Sequence, residues 1–297
     1  MGNLKVHFAS TENSRFSRLV VGVGARYALA SAFKFICSEH GIKAFRNPQQ
    51  NDPFDPLPFL CNNTRSCILD SGFFSVLFGS ASLIRDSRFP ERWQQSLVRL
   101  VLDSGFTGNV VEVDAQKLVG PEQTWLLRRR LAEQLSNQVI NVVHLEDGQK
   151  GLDRLIEYSN YLAVSVPELR FAKKPEAAYR LASYIKNKKP KIKIHLLGCT
   201  QPSMLRQLRF CTSSDSTSWT SVGRYGSIGF NDGTTDRRAT LARHLPKQAE
   251  QFFEMVHKIA IETNSKPTPA FIRYMSNYAL AVSLKLKEYS IHAGPQN

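Results

Sequence analysis

Cys67-Ile68-Leu69-Asp70-Ser71-Gly72-Phe73 is the stretch that decides how the rest of the chain is read. A short apolar run that stops at an acid, a hydroxyl and a glycine is how a parallel α/β protein presents a carboxylate at the carboxyl-end rim of its sheet. The five residues Leu69 to Phe73 recur at Leu102 to Phe106. The second copy follows a helix-like stretch, Trp93 to Leu102, with an apolar face at Leu97, Val98, Leu100 and Val101. Helix, Asp, Ser and Gly in that order are ordinary helix-to-strand punctuation. Asp70 is therefore a site candidate and Asp103 a turn residue.

Outward from Asp70, β-rich runs alternate with helix-length segments. The expected strands are Lys5–Ala9, Cys67–Leu69, Asn109–Val113, Ile140–Leu145, Tyr161–Val166, Lys193–Leu197 and Arg209–Cys211. An eighth is sought around Leu19–Val23 or Ser227–Phe230. Near-continuous apolar runs suit strands covered on both faces, and the alternation with helices marks repeated βαβ units. The expectation is an α/β TIM-type (β/α)8 barrel over residues 1–244, with a C-terminal helical extension over 245–297 packed on it. No Gly-x-Gly-x-x-Gly opens a helix, which disfavours a dinucleotide-binding fold.

Lys and Arg number 39 against 25 Asp and Glu in 297 residues, a net charge of +14. Such an excess suits a polyanionic partner, because neutralising phosphates releases counterions. No run approaches the roughly 20 apolar residues of a membrane span, and the N-terminus lacks a signal-peptide layout. A cytoplasmic protein without membrane contact is expected. The five cysteines, Cys37, Cys61, Cys67, Cys199 and Cys211, are odd in number and show no Cys-x-x-Cys. Reduced thiols and no metal site are expected.

Acids gather where strands end. Asp70 ends the second expected strand, and Asp114 follows the third. The fourth delivers His144, Glu146 and Asp147 at its end, and Asp215 follows the seventh. Each alone could cap a helix or make a turn. On one barrel they would converge on one rim.

In this order the pieces resemble the tRNA-guanine transglycosylases and their DNA-modifying relatives. Asp70-Ser71-Gly72-Phe73 resembles the family's Asp-Ser-Gly-Gly-Phe, and His195-Leu196-Leu197-Gly198 resembles its His-Leu-Leu-Gly. Ala163-Val164-Ser165-Val166 resembles a strand whose backbone contacts the base, and Gly223-Arg224-Tyr225-Gly226 resembles an Arg-His-Gly neighbourhood. The resemblance covers about residues 5 to 230. It implies Asp215 as nucleophile and Asp70 as general acid/base. It places Asp114, His144, Ser165, Val166, Ser71 and Gly198 around the base. Phe73 stands where the family has its second glycine, and the family's Cys-Cys-Cys-His zinc set has no counterpart beyond Cys211.

A metal-free, strongly basic relative is most similar to the DNA-guanine transglycosylases of phages and bacteria, which exchange guanine for a 7-deazaguanine base. The implied partners are double-stranded DNA with its target base flipped out and a free 7-deazaguanine base. The implied compartment is the cytoplasm, of a host if the chain is phage-encoded, and no cofactor is called for. Arg224, Arg237, Arg238, Arg243 and Lys247 are the candidate phosphate contacts, and Trp219 or Tyr225 could stack on the flipped base. A tRNA enzyme, a hydrolytic glycosylase and a non-catalytic basic nucleic-acid-binding protein are the alternatives.

Overall fold

The structure is a computed structural model that describes residues 4–22, 25–42, 54–79, 84, 86–199, 201–217, 227–231 and 236–240. Eight parallel strands close into a barrel in sequence order: β1 (Lys5–Phe8), β2 (Tyr27–Ser31), β3 (Ser66–Asp70), β4 (Asn109–Val111), β5 (Val139–Val143), β6 (Tyr161–Ser165), β7 (Lys193–Leu197) and β8 (Ser213–Ser216). The seam pairs β1 with β8 in parallel, His7 against Asp215. This is the TIM-type architecture expected from the alternation of elements.

Two strands lie elsewhere than expected. Residues 19–22 belong to helix α1 (Ser14–Gly22), and the unplaced strand is the alanine-rich Tyr27–Ser31. Arg209 and Phe210 lie in a turn, so Asp215 sits within β8 and not in a loop after a strand. Ser227–Asn231 (β9) pairs antiparallel with Asp236–Thr240 (β10) in a separate two-stranded ribbon. The expected C-terminal helices, 245–297, lie outside the described residues.

Between the strands run α2 (Phe33–Ile36), α3 (Pro56–Asn63), α4 (Phe73–Gly79), α5 (Phe89–Asp103), α6 (Gln116–Gln134), α7 (Gly148–Tyr158), α8 (Val166–Phe171), α9 (Ala177–Lys188) and α10 (Pro202–Gln207). Helix α5 shows the rule. Trp93, Leu97 and Val101, one turn apart, are buried, while Arg92 and Arg99 lie on the solvent side. Asp103 is its last helical residue, and Gly105 (φ +61) turns the chain toward β4. Helix α6 is two helices joined at Gly120 (φ 76), with Pro121 opening the second.

Inside the barrel the packing is divided. Leu29, Ile68, Val111, Ile140 and Val142 form an apolar cluster. Toward the seam, His7, Tyr161, His195 and Ser213 are buried and polar.

Outside the barrel, the Glu112 carboxylate accepts from Arg128 Nε (2.8 and 3.0 Å), Asn141 Nδ2 (2.6 Å) and the Val142 N–H (2.8 Å). Both charges are almost fully buried, at 1% and 2% side-chain exposure. Of the Arg128-Arg129-Arg130 run, Arg128 is therefore a structural residue, and Arg130 pairs with Glu91. Glu112→Ala is expected to cost about 3–5 kcal/mol in urea denaturation, because it strands the buried guanidinium. Replacing both partners with apolar residues is expected to cost far less. A loss under about 1 kcal/mol for the single variant would show that the pair does not hold α6 to the sheet.

The lysines before β7 are engaged too. Lys186 Nζ donates to the Ile192 carbonyl (2.6 Å), and Lys189 Nζ donates to those of Ile156 and Ser159 (3.1 and 2.7 Å). They satisfy loose carbonyls near helix ends, and this lies at the amino-end side of the strands. No described helix is long and apolar enough to cross a membrane. The five cysteines are free, four of them buried.

Candidate active site

A cavity of about 320 Å³ opens at the carboxyl-end rim, with a floor of Leu29, Val111 and Val142. Of the residues singled out from sequence, Asp70, Ser71, Asp114, Ser165, Gly198 and Asp215 all line it. They arrive from five strands, β3, β4, β6, β7 and β8, or the residues just after them. His144 and Val166 do not line it. His144 is buried behind Asp114, its Nε2 3.2 Å from Asp114 Oδ1. Val166 is the first residue of α8 and packs in the outer core, so Pro167 takes the rim position. The run Ala163 to Val166 is apolar past the strand end, but Ser165 already caps α8 by accepting from the Glu168 N–H (3.4 Å).

Asp70 ends β3 opposite Ser31 of β2. Its Oδ2 accepts from the Gly72 N–H (3.0 Å) in a local turn. Gly72 has φ +72, and a Cβ there would lie 2.6 Å from the Phe33 nitrogen, so this position holds glycine for two independent reasons. Phe73 begins α4, is fully buried, and packs against Phe89 and Trp93. Trp93 Nε1 donates to the Ser71 carbonyl (2.8 Å), tying the Asp70 turn to α5. A second glycine at 73 would remove the packing of Phe73 on Phe89 and Trp93. Burial pushes the Asp70 carboxyl up to about 7, and the neighbouring Asp215 adds to the shift. A sizeable fraction of it carries a proton at neutral pH.

Asp215 is held differently. Its Oδ1 accepts from the Gly198 N–H (3.0 Å) and from His195 Nε2 (3.1 Å). A carboxylate can only accept, so Nε2 donates to it, and in a neutral imidazole Nδ1 then accepts from Ser213 Oγ (2.7 Å). Ser213 Oγ in turn accepts from Tyr161 Oη (2.6 Å), whose hydroxyl burial keeps protonated to about 12. With a neutral His195 the donors run in the order Tyr161, Ser213, His195, ending on Asp215. Both bonds fall on Oδ1, which leaves Oδ2 to the cavity. Gly198 (φ +62) can aim its N–H because a Cβ there would strike the Pro167 ring at 2.6 Å. His7 stands edge-on to His195, 5.9 Å between ring centres, and burial lowers it to about 3, so it is neutral.

Asp114 follows β4, and burial raises it to about 6 against the opposing pull of His144. Among the cavity residues unread in the sequence are Ser31 and Lys34, because β2 was unplaced, and Glu12 in the segment after β1. Glu12 Oε1 pairs with Lys34 Nζ (3.0 Å), and Oε2 accepts from the Ser31 N–H (3.2 Å). Ser10, also on the rim, has φ +67, a strained conformation for a non-glycine of the kind that gathers at functional sites. Of the candidate phosphate contacts, Arg237 and Arg238 lie on β10, opposite Phe230 and Gly229. Arg224, Arg243, Lys247, Trp219 and Tyr225 lie outside the described residues.

No family model matches the chain, and no curated protein matches it. Among solved structures it is similar to "QR15, an Aldolase", at 11% identity over 72% of this chain and 89% of that one, TM-score 0.42. It is also similar to the tryptophan synthase alpha chain from Legionella pneumophila subsp. pneumophila, at 12% identity, 95% and 92% coverage and TM-score 0.40. A third, KD(P)GA from T. tenax, has 10% identity, 95% and 99% coverage and TM-score 0.43.

Proposed function

We propose that the chain is a base-exchange transglycosylase acting on nucleic acid, and specifically a DNA-guanine transglycosylase that replaces guanine with a 7-deazaguanine base. One observation carries the reading. Two carboxylates share a small cavity in different surroundings, Asp70 raised to about 7 and Asp215 receiving two hydrogen bonds on one oxygen. Environments that push a carboxylate pair apart divide the work of acid and nucleophile.

Asp215 Oδ2 attacks C1′, forming a C–O bond as the C1′–N9 bond breaks, and Asp70 gives its proton to the departing guanine. The incoming base then loses its N9 proton to Asp70 and attacks C1′, and Asp215 leaves as a carboxylate. The phosphodiester chain stays intact. His195 and the Gly198 N–H orient Asp215 and spread its charge when it leaves. Asp114 accepts from N–H groups on the base edge. Phe33 and Phe74, both on the cavity wall, offer faces on which a base could stack. A cavity of about 320 Å³ takes one nucleoside, so the target nucleotide must leave the helix. The charge of +14 supports a polyanionic substrate. The choice of DNA and of a deazaguanine rests on the resemblance in sequence.

Incubation with guanine-labelled duplex DNA and 7-cyano-7-deazaguanine is the test. Label release with the strand intact and the new base incorporated supports the reading. Exchange with tRNA alone would replace DNA by RNA, abasic sites would make the enzyme a hydrolase, and no reaction with either substrate would overturn the reading. If Arg237 and Arg238 hold phosphates, replacing both with Glu weakens DNA binding and lowers the salt slope by about 0.9 per lost contact, read by binding titrations at several salt concentrations. An unchanged slope would remove β10 from the interface.

A further inference from the structure

Beside the proposed reaction centre lies a cluster that shares Asp114 with it and adds two side chains, His144 and Glu168, to which the reaction assigns no role. His144 Nε2, a carboxylate oxygen of Asp114 and one of Glu168 all lie within 4.8 Å of one another. They come from three successive carboxyl ends, those of β4, β5 and β6. The His144 side chain is 1% exposed, with Asp114 at 19% and Glu168 at 12%. Neither ring nitrogen of His144 makes a hydrogen bond among the described residues. Nε2 stands 3.2 Å from Asp114 Oδ1 but off the line that a hydrogen bond requires. A buried, unpartnered imidazole is costly, so its persistence between two carboxylates needs a reason.

We propose that His144, Asp114 and Glu168 form a binding site for one divalent transition-metal ion, of which zinc is the best match. The donor set is one imidazole and two carboxylates, all of which zinc accepts. Two ligands about 2.1 Å from one zinc stand about 3.4 Å apart at a tetrahedral angle. The 3.2 Å between Nε2 and Oδ1 is already that spacing. Glu168 closes the remaining distance by a rotamer change, and this means giving up its ion pair with Lys117. Lys117 is therefore an internal competitor, its ammonium standing in for part of the metal's charge. The Nδ1 side has no acceptor to brace the ring, and such braces are typically worth about 10–100-fold in affinity. The site should bind zinc reversibly, and more weakly than a closed structural centre. An open fourth position would face the cavity beside Asp114.

The test reads binding and not turnover, so it stands or falls apart from the proposed reaction. Chelator-dialysed protein is titrated with Zn²⁺ by calorimetry. One equivalent is expected to bind. Glu168→Gln and His144→Gln should each weaken binding at least tenfold. Lys117→Ala, which touches no proposed ligand atom, should tighten it several-fold by freeing Glu168. Circular dichroism checks that each variant is folded, and Glu168→Gln carries the test if His144→Gln is not. No binding by the parent would overturn the proposal. So would equal affinity in the folded variants, or a Lys117→Ala affinity no tighter than the parent's.

Discussion

Asp215→Ala is expected to abolish base exchange, with kcat falling by about 10⁴-fold or more while DNA binding stays within a few-fold of the parent. Removal of a covalent nucleophile costs on this scale. A second readout is qualitative. The parent should form a protein–DNA adduct that survives denaturing electrophoresis when the incoming base is withheld, and the variant should form none. His195→Phe is a useful companion. It leaves the nucleophile but removes its partner at 3.1 Å, so exchange should slow without vanishing. Turnover by Asp215→Ala within tenfold of the parent would refute the assignment.

Asp70→Asn has the second largest expected effect, and it acts in two directions. Exchange should fall by about 10²–10⁴-fold, the usual loss when a general acid is removed. The parent's rate should decline above about pH 7, where Asp70 gives up its proton, and that limb should be absent from the residual activity of the variant. Stability should move the other way. Asp70 binds its proton more tightly in the folded protein, about 7 against the usual 3.8. Its contribution is fully present below about pH 4, is lost as pH rises toward 7, and stays lost above. Asn carries no charge to desolvate and still accepts from the Gly72 N–H. The variant should therefore be more stable than the parent at pH 8, by about 1–3 kcal/mol, and show little gain at pH 4. Thermal unfolding at the two pH values decides it. Equal stability at both would mean that burial does not strain this carboxylate.

What the sequence disclosed and what it hid have one physical cause. Strands β3, β6 and β7 are apolar because helices cover one face and the barrel interior the other, so their residues report their burial. Strand β8 is Ser-Ser-Asp-Ser, with Ser213, Ser214 and Asp215 all buried. Its extended form is imposed by backbone pairing to β1 and β7, and no hydrophobic pattern records that. Strand β2 was hidden for a related reason. Ala28 and Ala30 are fully buried but small, and alanine carries little strand preference. With β2 went Ser31 and Lys34. The end of β6 was misjudged by one residue although its signal was present, since Ser165-Val166-Pro167-Glu168 reads as a capped helix start. Asp70 and Asp103, identical in local sequence, were separable because the element before each differs. The pairing of Asp114 with His144 was not legible, since it depends on the side-chain direction at two strand ends.

The barrel's seam has a consequence for how activity arises in time. Strand β8 reaches β1 across about two hundred residues, the longest loop closure in the sheet. Neighbouring strands can zip in order as the chain emerges, but this last pairing must wait for the rest. Asp215 rides on the strand that closes the seam, and the His195 and Gly198 groups that orient it wait on β7. A chain halted just short of residue 213 could hold most of its core and bring Asp70 to the rim, yet lack Asp215, the nucleophile proposed above. If Asp215 is the nucleophile proposed above, closure of the cylinder and its acquisition are one event.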